Sequence, residues 1–272
     1  MITILTYAGM TPIFSAAISS FLSSIFFAIV VTFKKGWTQW NAHTPWKDIF
    51  IASFFIGFVF YTFFYIGLTH TTAGNASIVA LMEVFWSFLL LTVLVKHEHL
   101  ILKQVLGAAC MILGALIILL PKQSGWHLGD ILILIGTMVP PLANKYMQRA
   151  RKSVSSEFIL FFRGFFAGCC LLILACCIEK VPTMHQVSSS LFILCMNGFL
   201  TLGLSKILWL ESIHRIPITK AVSLASIAPF FTLIFASIFL GEHVTLFQII
   251  ALVPIIIGVF LLTRTHVETV NE

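Results

Sequence analysis

The sequence predicts an all-α polytopic membrane protein: nine transmembrane helices from two inverted five-helix repeats, the first short by one helix. Three observations lead there. Apolar residues make up 59% of the 272-residue chain and charged residues 10%, too little polar surface to cover a soluble domain of that size. The apolar residues fall in charge-poor runs close to the roughly 20 residues a helix needs to cross hydrocarbon. Polar and glycine landmarks also recur at a constant offset of 144, with His70, Glu98, His99, Gln104 and Gly114 returning as His214, Glu242, His243, Gln248 and Gly258.

The first run, 12–33, has no basic residue before it, is too long for a signal-peptide core and has no convincing cleavage site, so it reads as a retained span. Runs at 49–69, 74–95 and 104–121 complete the first repeat. The next, 128–147, opens on Gly129-Asp130, and 156–178, 189–210, 218–240 and 245–263 follow. A transmembrane barrel would need segments of about ten residues alternating apolar and polar, whereas Phe21 to Val31 is apolar without alternation. Only short loops and the tail after Thr263 lack apolar dominance, so the repeats at 1–121 and 122–272 together form one membrane domain.

The net charge of +6 does not call for nucleic acid, because basic residues accumulate on the cytoplasmic side of membrane proteins. With Lys34 and Lys35 inside, alternating spans place Lys47, Lys96, Lys103, Arg149, Arg151, Lys152, Arg215 and Arg264 inside as well. Lys122 and Lys180 fall outside, which gives an N-out, C-in orientation. The expected location is a bacterial inner membrane. Cys169-Cys170, Cys176-Cys177, Cys110 and Cys195 lack zinc or C-x-x-C spacing and read as packing residues.

Sliding the sequence by 144 pairs four helices of each repeat and leaves the segment opening at Gly129-Asp130 without a counterpart, which is the missing first helix. An odd number of helices per repeat sets the second copy upside down relative to the first, an arrangement that places binding sites where repeats meet. The charges agree: Lys34-Lys35 follows one helix inside, and the matching Glu179-Lys180 loop falls outside.

Gly241-Glu242-His243 with Gln248 and Gly258, the weaker copy Glu98-His99 with Gln104 and Gly114, Gly129-Asp130 opening a helix, and Ala228-Pro229-Phe230 together resemble the EamA-type branch of the drug/metabolite transporter superfamily. The resemblance covers nearly the whole chain. It implies a ten-helix bundle with both termini in the cytoplasm that carries metabolites, amino acids or drugs across a membrane. The chain departs from that pattern in lacking the first helix, in Ser19 standing opposite Arg163, and in Phe85 standing opposite Pro229.

Glu83 is the most anomalous residue. A carboxylate near the middle of a span costs about 2.5–3.5 kcal/mol on insertion scales, so it faces protein or water, pairs with a cation, or holds a proton. It either binds substrate or a coupling proton, or is a neutral group that joins helices. Lys206 either meets an anionic substrate or Glu83, or snorkels to the interface, and Lys220 reads the same way with snorkelling favoured. Arg163, two turns into its helix, needs a partner or reaches headgroups. Asn144, Asn197 and Asn75 either line a pathway or hydrogen-bond between helices. Tyr65, Trp86 and Trp209 either wall a cavity or anchor and pack. Pro140-Pro141, Pro229 and Pro254 interrupt helices as hinges or static kinks.

Glu98-His99 and Glu242-His243 read as loop-closing and capping pairs, because the H-E-x-x-H spacing of a metal site is absent. No nucleophile elbow, phosphate loop or zinc motif occurs, so neither an enzyme nor a cofactor is expected. The expected function is a secondary transporter that moves a small metabolite, with an amino acid favoured, by alternating access in the export direction. Substrate would sit in a cavity between the two inverted repeats. The competing reading is a non-transporting membrane component or an inactive truncated relic. The expected partners are a small-molecule substrate and membrane lipid, with a homodimer left open.

Overall fold

The structure, a computed structural model, describes residues 3, 9–41, 43–90, 102–119 and 128–264; no strand occurs among the described residues. In chain order the helices are α1 (Pro12–Phe33), α2 (Trp46–Leu68), α3 (Ala73–Leu90), α4 (Leu102–Leu119), α5 (Leu128–Gly136), α6 (Pro140–Ala150), α7 (Ser156–Ile178), α8 (Met184–Arg215), α9 (Lys220–Leu240) and α10 (Leu246–Arg264). All but α5, α6 and α10 are long and apolar enough to cross a membrane, seven candidate spans among the described residues. Helix is the outcome physics requires, because hydrocarbon offers no water to satisfy backbone amides and carbonyls. Glu98 and His99 lie outside the described residues.

Where helices begin, the sequence supplies what the first turn lacks. Pro12 opens α1 at a position whose missing N–H has no helical partner to lose. The hydroxyls of Thr72 and Ser155 accept the amides of Asn75 and Phe158 to cap α3 and α7, and Thr183 with Gln186 forms a reciprocal capping box on α8. Two carboxylates from distant loops also cap. Glu242 accepts the amides of Ala73 and Gly74 at 2.8 and 3.2 Å, and Glu179 accepts those of Ile13 and Phe14 at 2.9 and 3.0 Å. Each places a negative charge on the positive end of a helix dipole. Gly241 makes the first possible: its φ of 66° ends α9 in a left-handed turn that costs glycine little.

The expected 128–147 span is two helices. The chain leaves α5 after Gly136, turns through Thr137–Val139 and restarts at Pro140. Pro140 and Pro141 thus stand in the first turn of α6, where proline is favoured, rather than inside one continuous helix. Pro229 likewise follows a 3-10 turn at Ala225–Ile227, whereas α10 runs through Pro254 without interruption.

The helices group into two compact units, each drawn from both sequence repeats. The first holds Gly67–Leu142 and the chain from Pro217 onward, with α3, α4, α5, α9 and α10. The second holds the chain up to Ile66 and Ala143–Ile216, with α1, α2, α7, α8 and most of α6. Within the first, α4 lies against α10 through Gly107, Gly114 and Gly258. A Cβ added at Gly114 would lie 2.4 Å from Ile255 Cγ1 and 2.7 Å from the Ala251 carbonyl oxygen. Gly114 and Gly258 are the two glycines matched by the 144 offset, so helices that correspond in sequence meet in space.

Within the second unit α1 packs on α7 by the same device. Gly164 admits the backbone of Ser20 and Ser24, and Gly168 takes the ring of Phe21. Ser15, Ser19, Ser20, Ser23 and Ser24 are all buried along α1. Ser23 and Ser24 donate across to the carbonyls of Leu202 and Phe161 at 2.8 and 3.1 Å. Small residues let backbones approach closely where lipid provides no hydrophobic drive for association.

Two stability outcomes follow. Gly114→Val overpacks the α4–α10 contact and lowers stability by about 1–3 kcal/mol, measured as the midpoint of SDS-induced unfolding of the purified protein. Glu242→Ala removes the acceptor of two amides and lowers the same midpoint by an amount equivalent to about 1–2 kcal/mol, whereas Glu242→Asp retains part of it.

Candidate functional site

The second unit contains a local irregularity that the sequence does not announce. Ser53–Phe60 in α2 and Asn197–Leu204 in α8 are wound as π-helix, with hydrogen bonds reaching one residue further than in an α-helix. The two segments are offset by 144 at both ends. Segments of this kind are rare and recur at functional sites. Tyr65 follows the first and Trp209 follows the second, again 144 apart.

Asn197 opens the second π segment and is fully buried, 0% exposed. Its amide donates to Ser19 Oγ at 3.0 Å and to the Tyr65 hydroxyl at 2.9 Å, while its carbonyl oxygen accepts Thr3 Oγ1 at 3.1 Å. Asn144 on α6 is also buried, and its carbonyl oxygen accepts the indole N–H of Trp209 at 3.3 Å. Four of the expected site residues therefore form two Asn–aromatic pairs, each linking different helices. Ser19, which the repeat comparison exposed only as a departure, completes the first pair's surroundings.

Arg163 is 5% exposed on α7 and makes no hydrogen bond or ion pair among the described residues. It is buried within its unit rather than reaching toward headgroups. Lys206 is half-buried on α8, one turn before Trp209, and forms no ion pair among the described residues; Lys220 is exposed. At the end of this unit, Arg149 holds Asp48 through both its Nε and Nη2 atoms. That hydrogen bond is the main reason the Arg149 guanidinium sits above its ordinary pKa.

In the first unit the polar groups fall into two sets. Asp130 is buried and accepts Thr71 Oγ1 and, at 3.1 Å, the Asn75 amide; Gln248 donates to Asn75 Oδ1 at 2.9 Å. This chain joins the starts of α3, α5 and α10, so Asn75 takes the helix-joining role. The second set lies on α3. Glu83, Trp86 and Ser87 stand at i, i+3 and i+4, which places them on one helical face. Glu83 is half-buried. The indole N–H of Trp86 and the hydroxyl of Ser87 are inaccessible to solvent and have no hydrogen-bond partner among the described residues. Ser87 went unnoticed in the sequence, although its spacing from Glu83 is a sufficient signal. No group of three metal-ligating side chains occurs among the described residues.

The model of the EamA-like transporter family matches residues 2–120 and again 127–264. The chain is 21% identical over 224 residues to the uncharacterized transporter YoaV of Bacillus subtilis (strain 168), covering 80% of this chain and 76% of that protein. It is 29% identical over 208 residues to an uncharacterized transporter of Methanothermobacter thermautotrophicus, covering 73% of this chain and 59% of that protein. One crystal structure of a protein 15% identical in sequence shares the fold, with a TM-score of 0.71 over 97% of this chain and 91% of that one. Matched twice by one family model along nearly its whole length, the chain belongs to the EamA-like transporter family and is an integral, multi-pass membrane transporter.

Proposed function

We propose that this transporter is a secondary carrier that moves a small metabolite, with a primary-amine compound such as an amino acid as the favoured class, by alternating access and in the export direction. The observation that carries the reading is the face of α3 that holds Glu83, Trp86 and Ser87. A carboxyl group in the middle of an apolar helix is retained against a cost of about 2.5–3.5 kcal/mol, and beside it stand two donors without a hydrogen-bond partner among the described residues. A substrate amine meets the carboxylate, and its acceptor oxygens meet the indole and hydroxyl donors.

Glu83 also suits coupling. A proton and a substrate amine would compete for this one carboxyl group. That competition links their gradients without nucleotide hydrolysis, for which the sequence has no phosphate loop.

Arg163 supports a transport role on separate grounds. A buried cation without an ion-pair partner among the described residues is expensive, and proteins retain such groups where activity requires them.

In proteoliposomes, Glu83→Gln lowers the transport rate at least about tenfold and flattens its dependence on pH, as expected for loss of a coupling carboxyl. Unchanged rate, affinity and pH profile would reject the reading. Arg163→Gln gives effects of opposite sign: transport falls while the SDS-unfolding midpoint rises, because a buried charge is removed. A fall in both would instead assign Arg163 a structural role.

A further inference from the structure

A cavity of about 570 Å³ opens at the end of the second unit, where α1 finishes, α7 starts and α8 finishes. Its polar wall carries three cations, Lys34, Arg151 and Arg215, and two carboxylates, Glu157 and Glu211, for a net charge of +1. Lys35 and Lys152, adjacent in sequence to lining residues, are exposed and add to the positive field.

The carboxylates are already engaged. Glu157 is paired with Lys34. Glu211 accepts Arg151 at 2.8 Å and the Ser156 hydroxyl at 2.5 Å. Arg215 approaches Glu211 only to 3.7 Å and its side chain is 76% exposed, so its donors are largely uncommitted.

Part of the lining is apolar: Val31 near the end of α1, and Ile207 and Leu208 about two turns inside the end of α8. Below the mouth, Leu208 is 64% exposed and Leu204 48% exposed on the outer side of α8. A charged compartment at the helix ends thus continues into an apolar surface running along a spanning helix.

We infer that this cavity binds the phosphate headgroup of an anionic phospholipid, with the acyl chains laid along α8. Arg215 and Lys34 contact the phosphate, and Arg151, locked by Glu211 and Ser156, fixes the floor of the site. The depth decides for a lipid over a free anion. Helix ends sit at headgroup level, basic pockets between spanning helices suit anionic headgroups, and a free phosphate would leave the apolar wall wet. The volume falls within the range of small-molecule sites.

The test uses the purified full chain in detergent, with lipid binding read by native mass spectrometry and by the thermal unfolding midpoint. Phosphatidylglycerol binds and raises the midpoint, while phosphatidylcholine and inorganic phosphate at equal concentration do neither. Arg215→Gln, an exposed and loosely held side chain whose loss leaves the fold intact, weakens phosphatidylglycerol about fivefold. Lys180→Gln, an exposed charge at the far end of α7, does not weaken it. Leu208→Gln weakens it through the chain-bearing wall. Equal binding of phosphatidylcholine, an equal effect of inorganic phosphate, or an unaltered affinity in Arg215→Gln would overturn the proposal.

Discussion

Backbone amides and carbonyls placed in hydrocarbon have no water to turn to, and the rest of this structure follows from that constraint. It dictates helix throughout the described residues. It also makes every helix end a local problem, and the chain meets the problem with side chains brought from elsewhere. Glu242 and Glu179 reach across from distant loops to the first amides of α3 and α1. Because these acceptors are remote in sequence, capping and tertiary packing are one event: α3 cannot be fully capped unless the loop after α9 is in place. The Asp130–Asn75–Gln248 chain extends the same coupling to α5 and α10.

Seven of the nine expected spans were legible because hydrocarbon thickness selects length and excludes charge, two properties a sequence displays directly. The roles of individual polar residues were less so. Asn75 carried two readings until its partners, 55 and 173 residues away, were located. The prolines at 140 and 141 were read as flaws within one helix because position alone does not tell a first turn from an interior. The serines of α1 passed as part of an apolar run; their packing against Gly164 and Gly198 and their hydrogen bonds with Leu202, Phe161 and Asn197 give them a role. The grouping of helices into compact units was hidden for a different reason. Sequence similarity reports the order of helices, whereas packing pairs α4 with α10 and α1 with α7, segments more than a hundred residues apart.

Polar groups inside the spans fall into two kinds, those with hydrogen-bond partners and those without one among the described residues. Asn197, Asn144, Asn75 and Asp130 have partners that satisfy them, so they add rigidity and specificity to helix contacts. The Trp86 indole and the Ser87 hydroxyl have none among the described residues. Fold stability alone would have favoured apolar side chains at both positions.

A π turn takes up more residues than an α turn, so each of the paired segments in α2 and α8 resets the angular phase of its helix. Everything after Phe60 and Leu204 points where an uninterrupted α-helix would not send it, and Tyr65 meets Asn197 from that shifted phase. A helical-wheel projection drawn through either helix as one piece would assign its second half to the wrong face. Since both helices are dephased over the same length at positions 144 apart, the correspondence between them extends from sequence to local winding.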